Sequence, residues 1–211
     1  MDADAIEIRA LGCLIEKQRT TPDVYPLSLN ALRLACNQVT NRDPLVDYDE
    51  RTVHDALHRL SHRGWARLTS GQGSRTVKYR QLLDAALGLE PSELAVLGVL
   101  MLRGPQTPGE LKQRTDRLHR FETLDEVERT LEPLIERELV ARLPRRPGHK
   151  EQRYAQLLGG DGGAEPAATA APEALTESNA DGLEARVARV EEEVAALHAM
   201  VDELLGMRPR P

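Results

Sequence analysis

His54, His58 and His62 stand at i, i+4 and i+8, a spacing at which adjacent imidazoles on one helical stripe can share a zinc ion. No cysteine or carboxylate is placed to complete a four-ligand set, so the expectation is a solvated or phosphate-facing stripe with no metal and no cofactor. The same segment is rich in groups that bind nucleic acid. Arg51, Thr52 and Asp55 lie near its start, where a helix entering the major groove reaches base edges. Arg59, Arg63, Arg67, Arg75 and Lys78 follow at positions suited to phosphates. Glu50 and Asp55 oppose this, since carboxylates are repelled by phosphate; only acceptance from a cytosine amino group would give them a role. Asn37, Gln38, Thr40, Asn41 and Arg42 form the densest polar cluster, open both to contacts with phosphates or a partner and to ordinary capping of a helix and a turn. Gly71-Gln72-Gly73 is no nucleotide loop, because it joins two strands and no helix N-terminus follows. No Ser/His/Asp or Cys/His set has a motif setting, so no catalytic residues are assigned and no enzyme is expected.

The elements that must hold these groups follow from periodicity. Val53, Ala56, Leu57 and Leu60 repeat at 3.6 residues, which predicts a helix over 50–63 with Asp49 as N-cap and Gly64 as its stop. Trp65 to Leu68 and Thr76 to Arg80 read as strands of a glycine hairpin. Ahead of them, Ile6, Ala10, Leu11, Leu14 and Ile15 predict an amphipathic helix that ends before Thr20-Thr21-Pro22. Ser28 caps a second helix with Leu29, Leu32, Leu34 and Ala35 as apolar positions. Three helices followed by a hairpin is the order of a winged helix.

The order then repeats. Leu94, Leu97, Leu100 and Met101 mark a helix stopped at Gly104-Pro105, Thr107 to Glu110 reads as a capping box with proline at the first helical position, and Thr123 with Glu126 opens a third helix. Leu139 to Leu143 and Gln152 to Leu157 are the predicted strands. Val53, Leu57, Leu60 and Arg63 match Val127, Leu131, Leu134 and Arg137 at one offset, which an internal duplication explains. The second hairpin is basic through Arg145, Arg146, Lys150 and Arg153, but its preceding helix carries Asp125, Glu126, Glu128, Glu132 and Glu136, which repel a phosphate groove.

From 159 to 182 the chain is Gly, Ala, Pro and acidic residues, a linker composition. Over 183–206, Leu183, Val187, Val190, Val194, Leu197, Val201 and Leu204 alternate steps of four and three. Valine at a with mostly leucine at d favours a parallel two-stranded coil, and hence a homodimer; packing of this helix on its own chain is the alternative.

A hydrophobic content of 40% with 29% charged residues fits a soluble globular protein, and 3% aromatics are too few for a base-stacking surface. Residues 1–82 carry 12 Lys+Arg against 10 Asp+Glu, 83–158 carry 12 against 13, and 159–211 carry 4 against 11. The net −6 therefore resides in the tail, and the near-neutral body leaves DNA binding open. The longest apolar run, Leu94 to Leu102, is about half a membrane span. Cys13 and Cys36 lack redox or metal spacing, which with the acidic start points to the cytoplasm and no membrane.

The stretches Glu16 to Asn30, Ala35 to Pro44, Leu102 to Leu111 and Arg146 to Tyr154 resemble the YceH-like bacterial proteins, over about residues 5 to 160. The resemblance implies a pair of winged-helix domains in a cytoplasmic protein and carries no catalytic or binding residues. The expectation is a mainly α fold with small β-hairpins: tandem winged helix-turn-helix domains at 1–82 and 83–158, the linker at 159–182 and the coiled-coil helix at 183–206. The expected function is duplex-DNA binding, as a regulator or nucleoid-associated factor; a protein-protein adaptor is the alternative.

Overall fold

A computed structural model describes residues 3–69, 77–145 and 151–159. Arg75, Arg146, Lys150 and the heptad positions from Leu183 to Leu204 lie outside the described residues. The described chain is mainly helical with small antiparallel sheets.

Helix α1, Ala5–Thr20, starts on a reciprocal cap: Asp4 accepts from the Glu7 N–H at 2.8 Å, and Glu7 accepts from the Asp4 N–H at 3.0 Å. It differs from the one-faced helix expected from its spacing. Every residue from Glu7 to Ile15 is buried, because α1 is covered by elements of both halves of the sequence, while Ile6 is only half-buried. After a 3-10 turn at Pro22–Val24 comes β1, Leu27–Ser28, which the pattern did not announce. Helix α2, Leu29–Cys36, begins where Ser28 accepts from the Ala31 N–H, and Leu34, expected to face inward, is exposed. Helix α3, Glu50–His62, is capped by Asp49, which accepts from the Thr52 N–H at 2.7 Å, and it buries Val53, Ala56, Leu57 and Leu60. Strands β2, Ala66–Thr69, and β3, Lys78–Gln81, lie one to two residues beyond the expected positions, and the sheet runs β1-β3-β2.

The second half adds a short helix that periodicity missed, α4, Leu83–Leu87. Helix α5, Pro91–Arg103, is buried from Glu93 to Leu102, which explains an apolar run without a polar face. Helices α6, Pro108–Thr115, and α7, Leu124–Glu136, then lead to β4, Val140–Leu143, and β5, Arg153–Gln156. Thr107 and Glu110 form the expected capping box. At α7 only half of it forms: Thr123 accepts from the Glu126 N–H, but the Glu126 carboxylate takes the N–H of Glu122, one residue further out.

The two halves match in detail. Leu27 precedes the cap of α2 and pairs with Tyr79; Gln106 precedes the cap of α6 and bridges to Tyr154. The chain leaves α3 through a Trp65 N–H to Leu60 carbonyl bond, and leaves α7 through a Leu139 N–H to Leu134 carbonyl bond, both at 2.9 Å. Each exit needs a positive φ at the preceding residue, supplied by Gly64 (+74°) in one and Glu138 (+55°) in the other. The cores of the halves are continuous through α1 and α5. Gly12 makes room on α1 for Leu102 and Met101, and a Cβ there would stand 3.0 Å from both.

Candidate nucleic-acid interface

Burial of Val53, Ala56, Leu57 and Leu60 against the body turns the opposite face of α3 to solvent, with Arg51, His54, Asp55, His58 and His62 exposed. Thr52 is partly withdrawn. Its N–H and hydroxyl both serve Asp49, and these bonds hold the Asp49 carboxyl below its ordinary value. Asp55 lies 3.7 Å from Nδ1 of His54. The histidine rings follow one another along the stripe, tilted, with centroids 5.6 and 5.8 Å apart, and among the described residues no group of three or more His, Cys, Asp or Glu side chains has metal-holding geometry.

Arg59 and Arg63, both sequence candidates for phosphate contact, are turned toward the start of α1. Arg59 Nη2 is 2.6 Å from Asp4 Oδ2, its Nε is 3.4 Å from Glu7 Oε2, and Arg63 Nε donates to Glu7 Oε1 at 3.0 Å. Arg63 also lies over the Trp65 ring at 5.6 Å. The Glu7 carboxylate is buried and holds two guanidiniums at an edge of the helix, where both side chains stay partly exposed to solvent. Spacing alone conceals this, because Asp4 and Arg59 are 55 residues apart.

The hairpin supplies the clearest basic surface. The register of β2 and β3 places Arg67 directly opposite Arg80 and Thr69 opposite Lys78. These four share the outer face, while Ala66, Tyr79 and Gln81 point inward. Arg67 and Arg80 are exposed, and neither has an ion-pair partner among the described residues. Arg80 was not a sequence candidate. Its pairing with Arg67 depends on a register that the hairpin closes, and no local signal reports it.

The polar cluster divides. Asn37 fastens the segment before α3, donating to Asp47 and to the Tyr48 carbonyl and accepting from the Tyr48 N–H at 2.9 Å. Arg42 is buried and donates to the carbonyls of Ala35 and Asn41, to Gln38, and to both oxygens of Glu16 at 3.1 and 2.6 Å. Thr40 and Asn41 are exposed, and Gln38 is half-buried.

In the second half, Arg142 lies over the Tyr154 ring at 5.6 Å, Arg145 is exposed just beyond β4, and Arg153 pairs in register with Leu143. The outer face of α7 presents Asp125, Glu128, Glu132 and Glu136 to solvent. The basic residues on and just after it are engaged: Arg129 donates to the Asp125 carbonyl, and Arg137 donates to the Leu87 carbonyl and lies 4.0 Å from Glu93. No helix among the described residues is long and apolar enough to cross a membrane.

The family model described as "Protein of unknown function, DUF480" matches residues 3–149. A UPF0502 protein of Solibacter usitatus is 52% identical over 194 residues, 92% of each chain. One of Geotalea uraniireducens is 49% identical over 201 residues, covering 94% of this chain and 91% of its own. One of Shewanella sp. (strain ANA-3) is 44% identical over 217 residues, covering 98% and 99%.

Proposed function

The chain belongs to the DUF480 family, and we propose that it is a cytoplasmic tandem winged-helix protein that binds duplex DNA through α3 and the β2–β3 hairpin. The order of three helices and a hairpin, met twice with matching exits from α3 and α7, supports reading each half as a winged helix. The observation that carries the DNA reading is the Arg67–Arg80 pair. Like charges directly opposite each other weaken a sheet, and an exposed pair of them beside Lys78 is stabilised when a phosphate lies across both strands. In this reading Arg67, Lys78 and Arg80 meet the backbone, with Arg75 on the same hairpin by sequence, and Arg51 and Asp55 approach base edges. Arg59 and Arg63 brace α3 against α1 instead of touching DNA. Catalysis plays no part in it.

The heptads at 183–206 would bring two such bodies onto one duplex and turn weak half-site binding into useful affinity. Truncation after Gly160 is then expected to halve the mass measured by light scattering, and an unchanged mass excludes pairing through this segment. Selection of genomic fragments by the purified protein at about 150 mM salt tests the DNA reading, since that salt suppresses binding to phosphate alone. A shared inverted-repeat motif supports a sequence-specific dimeric regulator. Recovery of no DNA supports the adaptor reading, which the acidic outer face of α7 favours.

A further inference from the structure

A cleft of about 570 Å3 opens between the end of α1, the loop after α2, and helices α5 and α6. Four cations line it: Lys17, Arg103, Arg114 and Arg117. Its one carboxylate is Glu16, which lies 2.6 Å from the fully buried guanidinium of Arg42 beneath the surface and 3.4 Å from Lys17 Nζ. Arg103 donates to Asn41 Oδ1 and Arg114 to Gln106 Oε1, neutral acceptors that fix a guanidinium without cancelling its charge. Glu110 approaches Arg114 at 3.3 Å. Arg117 is exposed and has neither an ion pair nor a hydrogen bond among the described residues. Counting Arg42 and Glu110 as well, five cations face two carboxylates, a surplus of three positive charges around one concavity. Burial and the neighbouring charges of Arg114 and Arg42 push the Arg103 guanidinium below its ordinary value, as crowding of like charge requires.

The walls are not uniformly polar. Val99, Leu102 and Leu118 supply an apolar patch, and Gln38 and Thr40 contribute further hydrogen-bonding groups. Convergent cations with an apolar wall suit a ligand that has a multiply charged oxyanion at one end and an organic body at the other. We propose that this cleft binds a small phosphate ester, its phosphate held by Lys17, Arg103 and Arg117 and its organic part resting on Val99, Leu102 and Leu118. Such a ligand bridges α1 of the first half to α5 and α6 of the second, at a place separate from the α3 and hairpin face, and the assignment does not depend on DNA binding.

Inorganic pyrophosphate is the probe, titrated calorimetrically into the full-length protein at low salt. One saturable site is expected, weakened about tenfold by Arg117→Ala and again by Arg103→Ala. Arg120→Ala, which removes a cation paired with Glu122 outside the cleft lining, is expected to leave the affinity unchanged. Arg117 is exposed and without a partner, so its variant folds and remains decisive if Arg103→Ala does not. Absence of saturable binding up to about 10 mM, or equal affinity in Arg117→Ala, overturns the proposal. Displacement of pyrophosphate by a short DNA duplex would reassign the cations to a nucleic-acid backbone and overturn it as well.

Discussion

Ile15 of α1 fills the space left open by Gly98 of α5: a Cβ built at position 98 would stand 2.9 Å from Ile15 Cγ2. Isoleucine is branched next to the backbone and cannot swing its Cγ2 away cheaply. Gly98→Ala is therefore expected to cost about 1–3 kcal/mol through overpacking, although the same change on an exposed helix face would stabilise it. Because α1 and α5 share one core, urea unfolding followed by fluorescence of the single tryptophan, Trp65, and by far-UV circular dichroism should give coincident transitions in both proteins. Separated transitions would show that the halves unfold independently.

Glu138 occupies the position that Gly64 fills in the first half, at φ +55° where a side chain is disfavoured by about 1–2 kcal/mol. Its side chain is exposed. Glu138→Gly should stabilise the protein by about 1 kcal/mol, and Gly64→Ala should destabilise it by a similar amount, both read from the urea midpoint.

The ion pair of Glu16 and Arg42 predicts a dependence on acid. Burial alone would raise the Glu16 carboxyl, but the hydrogen bonds and charge of Arg42, with Lys17 adjacent, reverse this and hold it below its ordinary value. A carboxylate depressed in the folded state contributes its stability above the unfolded value near 4.3 and loses it as pH falls through the lower folded value. Glu16→Gln should lower stability by about 3 kcal/mol at neutral pH, since it leaves the buried Arg42 without its charge partner. It should also flatten the slope of stability against pH below about 4. An unchanged slope assigns acid sensitivity to other carboxylates.

Arg67→Ala gives opposite signs in two assays. Removing one member of an exposed like-charged cross-strand pair should stabilise the sheet by about 0.5 kcal/mol, while loss of a phosphate contact should weaken duplex binding uniformly across sequences and reduce the salt slope by about 1. Fluorescence anisotropy at several salt concentrations measures the second effect. Unchanged affinity and slope remove this strand pair from the interface.

The order of the elements follows from local chemistry that the sequence states outright. Asp49, Ser28, Thr107 and Thr123 cap the helices they were expected to cap, because a side-chain oxygen serving a backbone N–H three residues on needs no distant partner. Proline and glycine stops, the recurring spacing of Val53, Leu57 and Leu60 in Val127, Leu131 and Leu134, and the family resemblance over the body were legible for the same reason. Strand β1 and helix α4 were not, since two residues of strand and five of helix are too short to show a period. Tertiary structure alone decided which polar groups are occupied. It gave Arg59 and Arg63 to Asp4 and Glu7, set Arg80 opposite Arg67 through the register, buried Arg42 on Glu16, and gathered Lys17, Arg103, Arg114 and Arg117 around one cleft. Charges separated by tens of residues act on each other only once packing has brought them within a few ångströms, and that distance is a property of the folded chain.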